Sequence, residues 1–125
     1  YTNLKTNTMK TLTYTLPTSQ RMITYYVGRN ACENTEIILP LCTEDDMWFH
    51  AENCSSCHVV ALMPPNLNKK EKHQLIKIGA RLCKHYTNKL RNEEEVAISY
   101  TRVRNVRPLP TPGMVSFNQG NSIII

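Results

Sequence analysis

No stretch of this 125-residue chain approaches the roughly 18 consecutive apolar residues a spanning helix needs, and its threonine- and asparagine-rich start has no apolar h-region. These absences point to a soluble, intracellular, cytoplasmic protein with no membrane partner. The first residue is Tyr1 and not methionine, which points to trimming, with Met9 a candidate native start. A phosphate-cradling glycine loop, a paired-carboxylate site and a Ser-His-Asp signature are also missing, so neither an enzyme nor a small-molecule substrate is expected. Internal repeats and low-complexity tracts are absent too. The apolar fraction of 41% is that of a chain that folds, and the length fits one domain.

Charge is missing in blocks. Residues 1–29 hold Lys5, Lys10, Arg21 and Arg29 without an acid, whereas residues 30–68 hold six acids without Lys or Arg. Residues 69–125 carry 11 bases against four acids, which leaves the whole chain at +5 with a pI near 9.0. A basic second half favours a polyanionic partner, although a solvated helix face has the same composition.

The five cysteines are Cys32, Cys42, Cys54, Cys57 and Cys83, an odd number that fits reduced thiols better than a disulfide framework. His50-Ala-Glu-Asn-Cys54-Ser-Ser-Cys57-His58 admits two sharper readings, a Cys-x-x-Cys-His haem attachment and a zinc site. The haem reading needs an export signal and a helix after His58, where Val59-Val60-Ala61-Leu62 reads as a strand. Zinc lacks a second Cys pair. Structural thiols and no cofactor are the expectation, with a metal- or thiol-dependent protein centred on His50, Cys54, Cys57 and His58 as the alternative.

Lys10 to Leu16 alternates Leu12, Tyr14 and Leu16 against threonines, and Met22 to Val27 places Ile23, Tyr25 and Val27 on one face. Two strands joined by a turn at Pro17-Thr-Ser-Gln20 follow from this. Asn30 and Glu33 form an asparagine capping box for a short helix over Cys32 to Leu39, ended by Pro40. Met47 to Ala51 and His58 to Leu62 are rich in aromatic and β-branched residues and read as paired strands. Asn68-x-x-Glu71 caps the longest helix, about Lys69 to Leu90. Its core-facing stripe is Leu75, Gly79, Leu82, Cys83, Tyr86 and Leu90, with Lys70, His73, Lys77, Arg81 and Lys84 opposite. Val96 to Thr101, Met114 to Phe117 and Ser122 to Ile125 read as further strands. The class is α+β: a mostly antiparallel sheet packed against one long helix, plus the short helix after the Gly-Arg-Asn turn.

Five motifs, taken in order, then resemble a known family: Val27-Gly-Arg-Asn30 with Glu33-Asn34, Asp46-Met-Trp-Phe-His-Ala51, Ser56-Cys-His-Val-Val60, Ser99-Tyr-Thr-Arg102 and Pro112-Gly-Met-Val115. Together they resemble the NFACT-R domain, the RNA-binding module of the NFACT proteins. The resemblance spans roughly residues 21–125, leaving 1–20 as an extension carrying the first strand. It implies a stand-alone version of a module from ribosome-associated quality control, whose partners are transfer RNA or ribosomal RNA and the large ribosomal subunit. DNA is a second polyanion to test. The family's asparagine-aspartate after its Gly-Arg-Asn is replaced here, and its Lys-Pro-Lys-Gly becomes Arg107-Pro-Leu-Pro110, with one base fewer.

The candidate contacts each have a second reading. Arg29, beside a strand-to-helix turn, either grips phosphate or pairs with Glu33, and Asn30 either contacts RNA or caps the helix. His50 and His58 either donate to phosphate and stack on a base or are satisfied structural groups. Trp48 and Phe49 alternate, so one lies in the core and the other is an exposed stacking platform. Lys77, Arg81 and Lys84 share a helix face that can track a backbone, extended by Arg102, Arg104 and Arg107, or that face serves only solubility. A protein-binding adaptor using the acidic segment 33–52 is the remaining alternative.

Overall fold

The computed structural model describes residues 10–29, 43–111 and 114–125. Among them the elements are β1 (Lys10–Thr15), β2 (Met22–Gly28), β3 (Met47–Ala51), β4 (His58–Ala61), α1 (Lys69–His85), β5 (Ala97–Arg102), β6 (Val106–Pro108), β7 (Val115–Phe117) and β8 (Asn121–Ile124). A short 3-10 turn at Val103–Asn105 joins β5 to β6. The expected short helix over Cys32 to Leu39 lies outside the described residues.

The strands build a six-stranded antiparallel sheet in the order β1-β2-β4-β3-β5-β8, and β6 and β7 form a separate hairpin. The turn after β1 closes where expected: the Leu16 N–H donates to the Arg21 carbonyl, and Gln20 takes a positive φ of 64°. The first strand is an integral edge of the sheet, pairing with β2 from Lys10↔Val27 to Thr15↔Met22. At the other edge β8 pairs with β5 through Ala97↔Ile124 to Tyr100↔Asn121.

Period-2 alternation divides the sheet residues between two faces. Ile23, Tyr25 and Val27, Met47, Phe49 and Ala51, Val59 and Ala61, and Ile98 are buried on the face that carries α1. The helix answers with Leu75, Ile76, Gly79, Ala80, Leu82 and Cys83. Its axis comes close to β3 at Gly79, where a Cβ would lie 2.3 Å from the Phe49 ring. The Tyr25 hydroxyl crosses the same interface to donate to the Leu75 carbonyl at 2.9 Å, and burial holds its phenol well above the ordinary tyrosine range.

Asn68 starts α1 as the spacing predicts. Its side chain accepts from the Glu71 N–H, and Glu71 accepts from the Asn68 N–H, a complete capping box. The end comes earlier than Leu90. The Thr87 hydroxyl donates to the Cys83 carbonyl at 2.8 Å and accepts from the Cys57 N–H at 3.1 Å, and the Arg91 guanidinium caps the His85 carbonyl. Local side chains therefore take the last helical carbonyls, and the tertiary bond from Cys57 holds Thr87 in place to do so. Tyr86 and Leu90, expected on the helical stripe, pack against the core from beyond the helix end.

On the opposite face Trp48 and Val60 form a second, smaller core with Val103 and Val106, against which Tyr26 and Val115 pack. The β6–β7 hairpin supplies that cover. This corrects the expectation of an exposed stacking platform: Trp48 and Phe49 do point to opposite faces, but each is 0% exposed because both faces are covered.

Gly79→Ala is expected to destabilise the protein by about 2 kcal/mol, the balance of about 3 for overpacking against Phe49 and about 1 regained in helix propensity. Urea unfolding monitored by tryptophan fluorescence checks it; a stabilised variant would show that Phe49 yields freely.

Candidate nucleic-acid interface

At one end of the sheet β2 finishes, β3 turns into β4 and the chain leaves α1. A groove of about 1330 Å³ opens there, lined among others by Arg29, His50, Glu52, His58, Lys89 and Phe117. Its histidines lie on the face of the sheet away from α1, since strand alternation places His50 with Trp48, and the β3–β4 register brings His58 alongside.

The rings are ordered by one another. Trp48 and His50 lie parallel within 5° at a centroid distance of 5.6 Å, and His58 stands edge-on to both, at 84° to Trp48 and 89° to His50. Phe117 leans on Trp48 from the hairpin, 4.9 Å between centroids. The buried Trp48 Nε1–H donates to His58 Nδ1 at 3.3 Å, which assigns the proton of the neutral imidazole to Nε2. Burial, reinforced by His50, pushes the His58 pKa down to about 3. The His50 pKa is lowered as well, chiefly by burial, with a backbone hydrogen bond at Ala51 opposing. Both rings are neutral at physiological pH, so they present hydrogen-bond and stacking surface and leave charge to the rim.

That rim is cationic and polar. Arg29 is exposed at the end of β2. Lys89 donates to the Ser55 hydroxyl at 3.2 Å, and Arg91 to the Asn88 carboxamide at 2.8 Å. Opposite His50 in the β3–β5 register, the Ser99 hydroxyl donates to the Glu52 carboxylate at 3.2 Å.

Of the residues singled out from sequence, the structure brings Arg29, His50 and His58 together here, while Asn30 lies outside the described residues. Lys77, Arg81 and Lys84 stand on the outer side of α1, away from its buried stripe. The Lys84 ammonium donates to the carbonyls of Glu94 and Ile125. Arg102, Arg104 and Arg107 each have partners of their own. Arg104 pairs with Asp45, Arg102 donates to the Asp45 carbonyl, and Arg107 folds back on the carbonyls of Arg104 and Val106. An exposed pair of this kind contributes little stability but occupies the charge. Sequence reasoning missed Glu52, Lys89, Arg91, Ser99 and Phe117. Lys89 and Arg91 gave no signal, because the helix was expected to run on to Leu90 and its end at His85 is what frees them from it; the others are assembled only by strand register.

The sheet also divides the sulfur- and imidazole-bearing cluster. The Cys57 thiol faces α1, donating to the Cys83 carbonyl at 3.3 Å, while its neighbour His58 faces the groove. Among the described residues no group of three His, Cys, Asp or Glu is placed to hold a metal ion. The acidic segment is partly consumed as well: Asp46, buried, accepts from the Met63 and Thr43 N–H groups.

The lowered pKa of His58 sets the sign of a pH effect. Below the unfolded value of about 6.5, the unfolded chain takes up a proton that the folded chain refuses, so stability falls with pH at up to about 1.4 kcal/mol per unit. His58→Gln is expected to lower stability at neutral pH and to flatten the slope between about pH 6.5 and 4.5. Urea midpoints across that range test it, and an unchanged slope would mean that His58 is protonated in the fold.

No helix among the described residues is long and apolar enough to cross a membrane. Residues 10–122 match the family model described as the NFACT protein RNA binding domain. The chain is 23% identical over 105 residues to the Rqc2 homolog RqcH of Bacillus subtilis (strain 168), an alignment covering 82% of this chain and 17% of that protein. It thus spans about a sixth of that relative's length. The C-terminal part of the fibronectin/fibrinogen-binding protein from Streptococcus suis shares the fold, with a TM-score of 0.75 at 19% identity over 90% of this chain and 44% of that one. With a family match that runs from β1 into β8, this chain belongs to the NFACT-R family of RNA-binding domains.

Proposed function

We propose that the chain is a non-catalytic module that binds structured RNA, of the transfer or large-subunit ribosomal class, with the groove at the end of the sheet as its main contact and the outer face of α1 as a flanking electrostatic surface. The observation that carries this reading is the meeting, in one groove, of cations on the rim with neutral rings in the floor. Phosphate attracts the rim: Arg29 can grip it bidentately, and Lys89 and Arg91 add charge. The floor offers what an unpaired base needs, an aromatic edge at Phe117 and an imidazole at His50. Lys77 and Arg81 lie along α1 about four residues apart, roughly 6 Å of helix rise, and would add affinity without base preference. The module would act in the cytoplasm with its RNA.

An enzymatic reading has less support. Cys57 and His58 point to opposite faces of the sheet, so the thiol has no imidazole beside it to act as a base.

The test is binding of labelled transfer RNA and of double-stranded DNA of equal length at low and physiological salt. The expected result is RNA affinity that falls steeply with salt, weakened about tenfold or more by Arg29→Ala/Lys89→Ala/Arg91→Ala, with the salt slope shallower by about 0.7–0.9 for each phosphate that the variant leaves unneutralised. Lys77→Ala/Arg81→Ala is expected to weaken binding less. No RNA binding at low salt would overturn the reading, and equal binding of the duplex DNA would overturn the preference for RNA.

A further inference from the structure

The groove carries more detail than general RNA binding requires. Trp48 is wholly enclosed, so the parallel Trp48–His50 stack has one accessible end, the half-buried His50 ring that lines the groove. A planar group entering there continues the stack, with His58 edge-on as a side wall. Across the sheet from His50 stands Ser99, whose hydroxyl anchors Glu52 at Oε2. Glu52 is the one acid among the described residues lining the groove, and it is set beside the stacking position while the cations lie on the rim.

This arrangement discriminates between the ends of a nucleotide. A carboxylate repels phosphate and only accepts hydrogen bonds, at about four lone-pair sites of which the Ser99 hydroxyl takes one. What stacks on His50 must therefore turn donors toward Glu52 and leave its phosphate to Arg29 and Lys89. Guanine meets this best, because its Watson–Crick edge carries N1–H and the N2 amino group side by side, a matched pair for a carboxylate. Uracil has a single N3–H, and adenine and cytosine set their amino group beside an acceptor nitrogen.

On the RNA-binding reading above, we propose that the groove holds one unpaired guanine nucleotide of an RNA strand, its base stacked on His50 and its Watson–Crick edge donating to the Glu52 carboxylate. Glu52 then determines base preference, whereas Arg29 and Lys89 supply affinity that does not depend on the base. The volume leaves room for the neighbouring nucleotides of the strand, since pockets for a single small ligand occupy about 300–1,000 Å³.

The experiment uses the full chain and fluorescein-labelled nine-nucleotide RNAs at low salt: all-uridine, and the same strand with guanosine, inosine, adenosine or cytidine at the centre. The central guanosine is expected to bind about tenfold tighter than the all-uridine strand, the discrimination of one good bidentate pair. Inosine, which keeps N1–H and loses the amino group, should fall between them. In Glu52→Gln the guanosine advantage should vanish while all-uridine affinity stays within about twofold, since the rim phosphate contacts are untouched. Arg29→Ala/Lys89→Ala should weaken every strand by the same factor. Equal affinity for all five strands, or a guanosine advantage that survives Glu52→Gln in a variant of unchanged melting temperature, would overturn the guanine site and leave general RNA binding standing. The inosine series decides the matter if that variant does not fold. Failure to bind any RNA, transfer RNA included, would overturn both readings together.

Discussion

The contact between Gly79 and the Phe49 ring governs the rest of the molecule. A helix packs on a sheet at a distance set by the side chains between them, and here the absence of one lets α1 settle directly onto β3, near the middle of the sheet. Because Phe49 is drawn to that face, strand alternation sends Trp48 and His50 to the other. A tryptophan there needs cover, which the β6–β7 hairpin and Phe117 provide. The groove begins where that cover stops.

The two faces thus do different work with the same strands. The α1 face is closed by aliphatic and aromatic packing, and its polar atoms are few and partnered: the Tyr25 hydroxyl on Leu75, the Cys57 and Cys83 thiols on each other's carbonyls. The opposite face holds polar rings in fixed orientation. Burial, reinforced by His50, keeps the His58 imidazole neutral, and its Nδ1 accepts from the Trp48 Nε1–H. A neutral floor inside a cationic rim is a consequence of this packing. It separates recognition of bases, which needs flat surfaces and directed hydrogen bonds, from attraction of phosphate, which needs charge.

The fold gives several of the cations read from the sequence fixed partners. Arg102, Arg104 and Arg107 sit in a basic stretch, yet the chain returns them to Asp45 and to their own backbone. Lys84 likewise closes on two carbonyls at the end of β8 and before β5. Lys89 and Arg91 look ordinary in sequence but reach the groove because α1 stops at His85, where Thr87 trades the helical ladder for β4.

Local and periodic features were legible in the residues themselves: the alternation of Ile23, Tyr25 and Val27, the capping box of Asn68 and Glu71, the turn before Gln20, and the one long helix. Each depends on residues within a few positions of one another, so short-range sterics and hydrogen bonding suffice. Folding in three dimensions decided where α1 ends, that Trp48 is covered, which partners hold the cations, and that Glu52 and Ser99 stand beside His50. Those outcomes depend on strand order and register between segments as far apart as β3 and β5, and on the hairpin that folds over them. No local pattern encodes them, because they follow from which buried faces must be covered once the sheet is complete.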